Sequence, residues 1–480
     1  MSGNMLPEVT QLNQASSLVR IPPADGVPLS ARVRRVIDTA PMRRLASISQ
    51  LGMVSLVYPG ATHSRLEHSL GVYLNSLRLL ARFAEDRSAC AMLTSEMAEA
   101  FVLAALLHDV GHWPFCHPIE DMRLRGLHEH ESRVADWIEN SELADCIDQD
   151  WSCGVGDVID LLEPKKASKD VTPTKAVRFL RSCLSGPIDI DKIDYLQRDS
   201  LHAGVPYGRN FDVGRLISSM CVHPLQQTLA IGDKGRTAAE MMVFARYVMF
   251  SEVYWHHTVR SATAMLQRAV FSIHHRQSRS LELESTFKLS DADWIAQLQS
   301  LVSNSVGDSQ TNTAELVDGL FGKTRRLYKR VAEFHSMSGD SGQSREGIME
   351  QSVHRKIARR PYWWLVKCSE KLADRLTDLT GQTIQSTEIL VDAPPAKLEV
   401  DINIDVISQA NLGVASAETL ADVSPVARAL AFQQFDNQVK RVRVFVHPQI
   451  RSSVNQTIPT ADAWTSLLLD AIAETDKELI

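Results

Sequence analysis

Residues 101–112, FVLAALLHDVGH, constrain this chain more than any other stretch. Seven apolar residues run without interruption into His108 and Asp109. A segment that apolar belongs in a core, so the histidine and the carboxylate arrive at the end of a buried helix. Thr94 or Ser95 can cap its start, Glu96 and Glu99 suit a first turn near the positive dipole end, and Gly111 is a natural stop. His108, Asp109 and His112 are thereby delivered to one small volume. Burying a carboxylate without a partner costs roughly several kcal/mol, so Asp109 requires a cation. A metal beside a neighbouring imidazole meets that need, and a plain hydrogen-bonded His-Asp pair is the simpler alternative.

Two further stretches carry the same mixture of apolar helix and ionisable groups. In residues 63–80, HSRLEHSLGVYLNSLRLL, Leu66, Leu70, Leu74, Leu77 and Leu80 recur at helical spacing while Arg65 and His68 share an adjacent face. In residues 186–204, GPIDIDKIDYLQRDSLHAG, Asp191, Tyr195, Arg198 and Asp199 can share one helix face, with Lys192 beside it. Ile188, Ile190, Ile193 and Leu196 interleave with those charges, which argues for burial and against a solvated acidic face. Taken together, His68, His108, Asp109 and Asp191 offer two imidazoles and two carboxylates for one divalent cation. Mixed nitrogen and oxygen ligands suit Mn, Fe, Ni or Zn better than Ca. Such an ion makes water acidic enough, with a pKa of about 7 in favourable cases, to attack phosphorus at neutral pH.

The rest of the chain frames this centre. Its 480 residues exceed the usual single domain. A net charge of -7 gives no general attraction for nucleic acid or membranes, so any polyanion must be held by a local basic cluster. Seven scattered cysteines without a C-x-x-C pair, and no apolar leader, point to reduced thiols and a cytoplasmic setting. Residues 1–26 read as a loose arm, 27–38 as a strand, and 40–51 as a short helix bearing Arg43 and Arg44. Pro114 and Pro118 make residues 113–120 a tight loop carrying His117. Residues 128–132, HEHES, open another helix, 233–235 form a hairpin turn, and 237–268 form one long helical run. Residues 336–344 read as a linker. Residues 354–371 mix basic and aromatic side chains, which fits either a nucleic-acid grip or an ordinary surface. Strands follow at 389–391, 398–406 and 439–447, the last with one solvated face, before a terminal helix from 459.

The motifs SRLEHSLGV, LLHDVGHWPFCH and DIDKIDYLQRD, beginning at Ser64, Leu106 and Asp189, resemble the HD-domain superfamily. Within it the chain is similar to the deoxynucleoside triphosphate triphosphohydrolases, both the bacterial dGTPase type and the vertebrate type that joins a sterile alpha motif to an HD domain. IDTAPMRRLASISQLG, HEHES, RRLYKR and ILVD have counterparts there, so the likeness covers residues 27–450, without a sterile alpha motif before it. The resemblance implies a mainly α fold, with an HD-domain helical core over 27–321 and a smaller α/β portion over 322–480. It implies that His68, His108, Asp109 and Asp191 hold the metal, and it admits Mg, with a second Mg on the substrate phosphates. Arg65, Lys192 and Tyr195 would meet the triphosphate. His112, His117 and His128, with Glu120, would handle protons, His117 as general acid to the leaving 5'-oxygen. Gln50 and Asp199 would read the sugar 3'-hydroxyl, Leu51 would crowd a 2'-hydroxyl, and Arg246, Tyr254 and His256 would contact phosphate and base. The implied reaction converts a dNTP and water to deoxynucleoside and triphosphate in a homo-oligomer.

One segment departs from the pattern. Where the vertebrate enzymes read an activating guanine nucleotide with Asp, Gln and Arg, this chain has Asp38, Arg43 and Ala46. Two other readings stand beside the first. One is a phosphodiesterase or nuclease on single-stranded nucleic acid or a signalling nucleotide, favoured by Arg359, Arg360, Trp363 and Trp364. The other is a nucleotide-sensing assembly protein whose turnover is incidental.

Overall fold

Long apolar stretches with hydroxyl or carboxylate caps become helices that pack on one another. The chain is mainly helical, with small sheets. A computed structural model describes residues 6–13, 18–127, 129–163, 173–277, 285–303, 308–336, 353–394, 403–409, 415–430 and 439–478. They fall into two compact units, each assembled from separated pieces of chain.

The first unit takes residues 1–114, 128–249 and 400–431. Its centre is the helix Ser95–Leu107, capped by Thr94, whose hydroxyl accepts from the Met97 amide at 3.3 Å, and buried throughout from Ala98 onward. The helix Arg65–Phe83 packs on it and on Ile190–His202. Ser64 caps the former, and Asp189 caps the latter by accepting from the Lys192 amide at 2.7 Å. A four-stranded sheet completes the unit: Met220–Val222 pairs antiparallel with Leu229–Gly232, which pairs parallel with Asp405–Gln409, itself antiparallel to Ala415–Thr419. The hairpin therefore turns at 223–228. Residues 233–235, expected as the hairpin turn, instead form a 3-10 turn leading into the helix Arg236–Met249.

The second unit takes residues 115–127, 250–399 and 432–480. Its antiparallel sheet orders Lys329–Phe334, Val442–Val446 and Ile389–Asp392, with Val442–Val446 in the middle. The helices Tyr362–Thr380 and Ala461–Lys477 pack with it around Trp364, Leu372, Leu468 and Ile472. The helix His257–Gln277 runs alongside.

Several local expectations give way to packing. Of the expected arm, Pro7–Thr10 is a helix with Glu8 fully buried, and Leu18–Ile21 pairs with Ala24–Pro28. Arg32 holds Glu8 at 2.7 Å, which draws this segment inward. Residues 31–37, expected as strand, form the helix Ala31–Ile37 capped by Ser30. Cys116–Glu120 is a short helix that tolerates Pro118 because first-turn amides have no intrahelical partner. The long run at 237–268 breaks into Arg236–Met249, a π turn over Phe250–Tyr254 and His257–Gln277. Val442–Val446 has no solvated face, since neighbours cover both sides. The basic-aromatic stretch divides between core and surface: Trp364 is buried with its Nε1 donating to Asp476 at 2.9 Å and Arg360 donates to the same carboxylate at 2.9 Å, whereas Arg359 and Trp363 are exposed. Two of the four residues behind the nucleic-acid reading are thus engaged within the unit, and two face solvent. Apart from Ser336, the linker reading falls outside the described residues, as does the start of the 398–406 strand. Among the described residues, no helix is long and apolar enough to cross a membrane.

Candidate metal centre

The three central helices of the first unit bring their ionisable residues together. His68, His108 and Asp191 place one ligand atom each within 4.8 Å of one another. His68 Nε2 lies 3.2 Å from His108 Nε2 and 3.0 Å from Asp191 Oδ1, and His108 Nε2 lies 3.3 Å from Asp109 Oδ1. The proton inventory of this group decides what it can hold. His108 Nδ1 is 2.9 Å from the Ala105 carbonyl, which can only accept, so the hydrogen sits on Nδ1 and Nε2 offers a lone pair. His68 Nδ1 is 2.8 Å from Asp194 Oδ2, which fixes its ring the same way. Two imidazole lone pairs and two carboxylates thus converge, an arrangement that needs positive charge in their midst. Burial works against a charged His68, yet hydrogen bonds to Asp191 and Asp194 push its pKa up to about 10, so a proton takes the Nε2 lone pair wherever a cation does not. A divalent cation would answer the same demand, and the donor set of nitrogen and carboxylate oxygen fits one.

Asp109 is buried, and burial opposes its ionisation. His112, His108, Arg65 and His68 nevertheless hold it well below the usual carboxylate range. Arg65 Nη1 donates to Asp109 Oδ2 at 2.9 Å, and His112 Nδ1 lies 3.1 Å from Oδ1. The His112 ring also packs on His130, centroids 3.7 Å apart. Lys192 Nζ donates to Asp189 Oδ2 at 2.6 Å and lies within electrostatic reach of Asp191, Tyr195 and Arg246. Burial pushes the Tyr195 hydroxyl up, while Arg246 and Lys192 pull it down. Asp199 Oδ1 is 2.9 Å from His63 Nε2, whose ring stacks on His202 at 4.3 Å. The Gln50 amide donates to the His63 carbonyl at 3.0 Å, which sets Gln50 and Leu51 beside that pair. The Gln50 Oε1 is buried without a hydrogen-bond partner among the described residues.

The first unit therefore gathers His68, His108, Asp109, Asp191, His112, Arg65, Lys192, Tyr195 and Arg246 around the centre, with Gln50, Leu51 and Asp199 grouped at His63. In the second unit, His117 is exposed on the helix Cys116–Glu120 with Glu120 half-buried at its end. Tyr254 closes the π turn there, and His256 Nδ1 accepts from the Thr258 amide at 3.3 Å. His128 lies outside the described residues. Sequence reasoning assigned nothing to His63, Glu67, Asp194 or His202, or to Arg198 beyond its place in the motif. Each makes a specific buried or half-buried contact here, and a usable signal was the i,i+4 spacing of Asp194 and Arg198.

Comparisons with known proteins fall on the same segments. The HD domain model matches residues 65–198, and the HD associated region matches residues 211–461. The chain is 32% identical over 273 residues to Uncharacterized protein MJ1154 of Methanocaldococcus jannaschii, covering 56% of this chain and 52% of that one. It is 29% identical over 276 residues to the deoxynucleoside triphosphate triphosphohydrolase SAMHD1 of Gallus gallus, covering 52% of this chain and 44% of that one. It thus spans about half the length of these curated relatives. A solved phosphohydrolase from Bacteroides thetaiotaomicron superposes with a TM-score of 0.64 at 22% identity, over 90% of this chain and 99% of that one, which shows a shared fold.

Proposed function

The chain belongs to the HD-domain phosphohydrolases, carrying the HD domain followed by the HD associated region, and from that premise we propose that it is a metal-dependent deoxynucleoside triphosphate triphosphohydrolase. The observation that carries this reading is the group Lys192, Tyr195 and Arg246: Lys192 and Tyr195 lie within electrostatic reach of Asp191, and Arg246 lies within reach of those two. On a chain of net charge -7, a cationic group beside metal-type ligands suits a compact polyanion such as a triphosphate.

His68, His108, Asp109 and Asp191 would hold one divalent cation, with Mn, Fe, Ni, Zn and Mg all compatible. When bound, the cation supplies Lewis acidity toward the α-phosphate and the attacking water. Lys192, Arg246 and Arg65 neutralise phosphate oxygens, and Tyr195 offers a hydroxyl to them. Gln50 and Asp199 address the sugar 3'-hydroxyl while Leu51 crowds a 2'-hydroxyl. The water oxygen bonds to the α-phosphorus, the bond to the 5'-oxygen breaks, and that oxygen takes a proton. His112, oriented by Asp109, suits the handling of protons. The roles of His117, His128, Glu120, Tyr254 and His256, a second Mg and a homo-oligomer carry over as proposals resting on the sequence resemblance.

Product analysis tests this directly. Purified protein is incubated with each dNTP and rNTP under Mn, Mg, Co, Ni and Fe in turn, with His108→Ala as blank. Triphosphate and deoxynucleoside, from dNTPs alone and absent in the blank, are expected. Phosphate, pyrophosphate or no product under every metal would sink the proposal.

A further inference from the structure

We propose that Asp194 and Arg198 are positioning residues for the metal centre, a buried fork that dictates which nitrogen of His68 faces the ion. The inference rests on the metal-centre reading above. Asp194 is buried, with Oδ2 2.8 Å from His68 Nδ1 and both oxygens met by the Arg198 guanidinium. Arg198, fully buried, donates from Nε and Nη2 to the two Asp194 oxygens at 2.9 and 2.8 Å. Its Nη1 donates to Glu67 Oε1 at 2.8 Å and to the Pro22 carbonyl. His202 Nε2 meets the same Glu67 oxygen at 2.9 Å.

An ionised carboxylate only accepts, so the hydrogen on His68 must sit on Nδ1, leaving the Nε2 lone pair for the ligand side. A planar bidentate fork also stops the carboxylate from rotating, which fixes the plane of the ring. Two features separate this arrangement from an incidental ion pair. The helix Arg65–Phe83 carries glycine at position 71, where a Cβ would come within 1.9 Å of Asp194 Oδ1 and 2.3 Å of an Arg198 Nη. Glycine mid-helix is less favourable than alanine, and here it admits the fork. Moreover, a pair this deep adds little net stability over apolar packing, whereas orienting a ligand requires it.

Asp194→Asn removes the acceptor-only character while conserving shape, because the amide presents NH2 either to His68 Nδ1 or to Arg198. Calorimetric titration of Mn into the full chain is expected to show affinity weakened by about tenfold to a hundredfold, with the metal-free variant still unfolding cooperatively. Glu67→Gln, at the half-buried end of the network, is expected to shift affinity the same way by less. It serves as the readout if Asp194→Asn does not fold. Asp194→Glu, which restores a carboxylate, should recover part of the loss. Unchanged Mn affinity in both Asp194→Asn and Glu67→Gln would overturn the inference, as would a loss of melting temperature alone. A wild-type chain that takes up none of Mn, Mg, Co, Ni, Fe or Zn would overturn the metal-centre reading itself.

Discussion

Gly71→Ala raises local helix propensity by about 1 kcal/mol and is nevertheless expected to destabilise the protein. The added Cβ would overlap the Asp194 and Arg198 side chains, and overpacking of this kind costs roughly 1–3 kcal/mol. Urea denaturation reads the sign, and a stabilised variant would show that the fork can shift at no cost. The residue scale also marks where sequence reading reaches its limit. His68, His108, Asp109 and Asp191 stand out because each sits among apolar residues at helical spacing, where a buried ionisable group calls for a partner. Asp194 and Arg198 have the i,i+4 spacing of an ordinary solvated pair. Their burial follows from the packing of Ile190–His202 on Arg65–Phe83, a contact between residues far apart in the chain.

At the scale of elements, the strand Val442–Val446 shows how context overrides pattern. Its alternation of apolar and basic residues reads as a half-exposed strand, but it lies in the middle of its sheet with Arg443 buried. Glu333, on the neighbouring strand Lys329–Phe334, compensates: its carboxylate accepts from Arg443 Nε at 2.7 Å and from Arg441 Nη1. Burial opposes ionisation, but these guanidiniums push the Glu333 carboxyl down to about 2. Because the folded pKa is depressed below the unfolded value of about 4.3, the stability it contributes is complete above that pH. It is lost as pH falls through about 2. Thermal melts across pH are expected to show Glu333→Gln less stable than wild type at pH 7, by on the order of 2 kcal/mol after solvent screening. The gap should close toward pH 2, whereas a gap independent of pH would place the effect in packing and not in charge.

For the whole molecule, the departures at Arg43 and Ala46 bear on assembly. Arg43 is exposed on the helix Ala40–Leu45 and Ala46 is exposed at its C-terminal cap, with Asp38 at the end of the preceding helix. We expect the sedimentation coefficient to be indifferent to saturating GTP, and a GTP-dependent increase in mass would overturn that expectation. Local pattern and the family likeness it carries were enough to expect the mainly helical class and a cap of the central helix at Thr94 or Ser95, which Thr94 supplies, and to nominate the four metal-type residues. These depend on periodicity and on residue types that follow one another in sequence. The division of the chain was not legible in that way. The chain groups into two interleaved compact units, in which 400–431 joins the first and 250–321 the second. The cause is a pairing between Leu229–Gly232 and Asp405–Gln409, strands separated by more than a hundred residues, each too short to announce its partner. Inward placement of Glu8, the burial of Arg443 and the contacts of Glu67 and His68 with the Asp194–Arg198 fork arise the same way. A charged side chain enters a core only when distant chain supplies its counter-charge, and that complementarity exists in three dimensions alone.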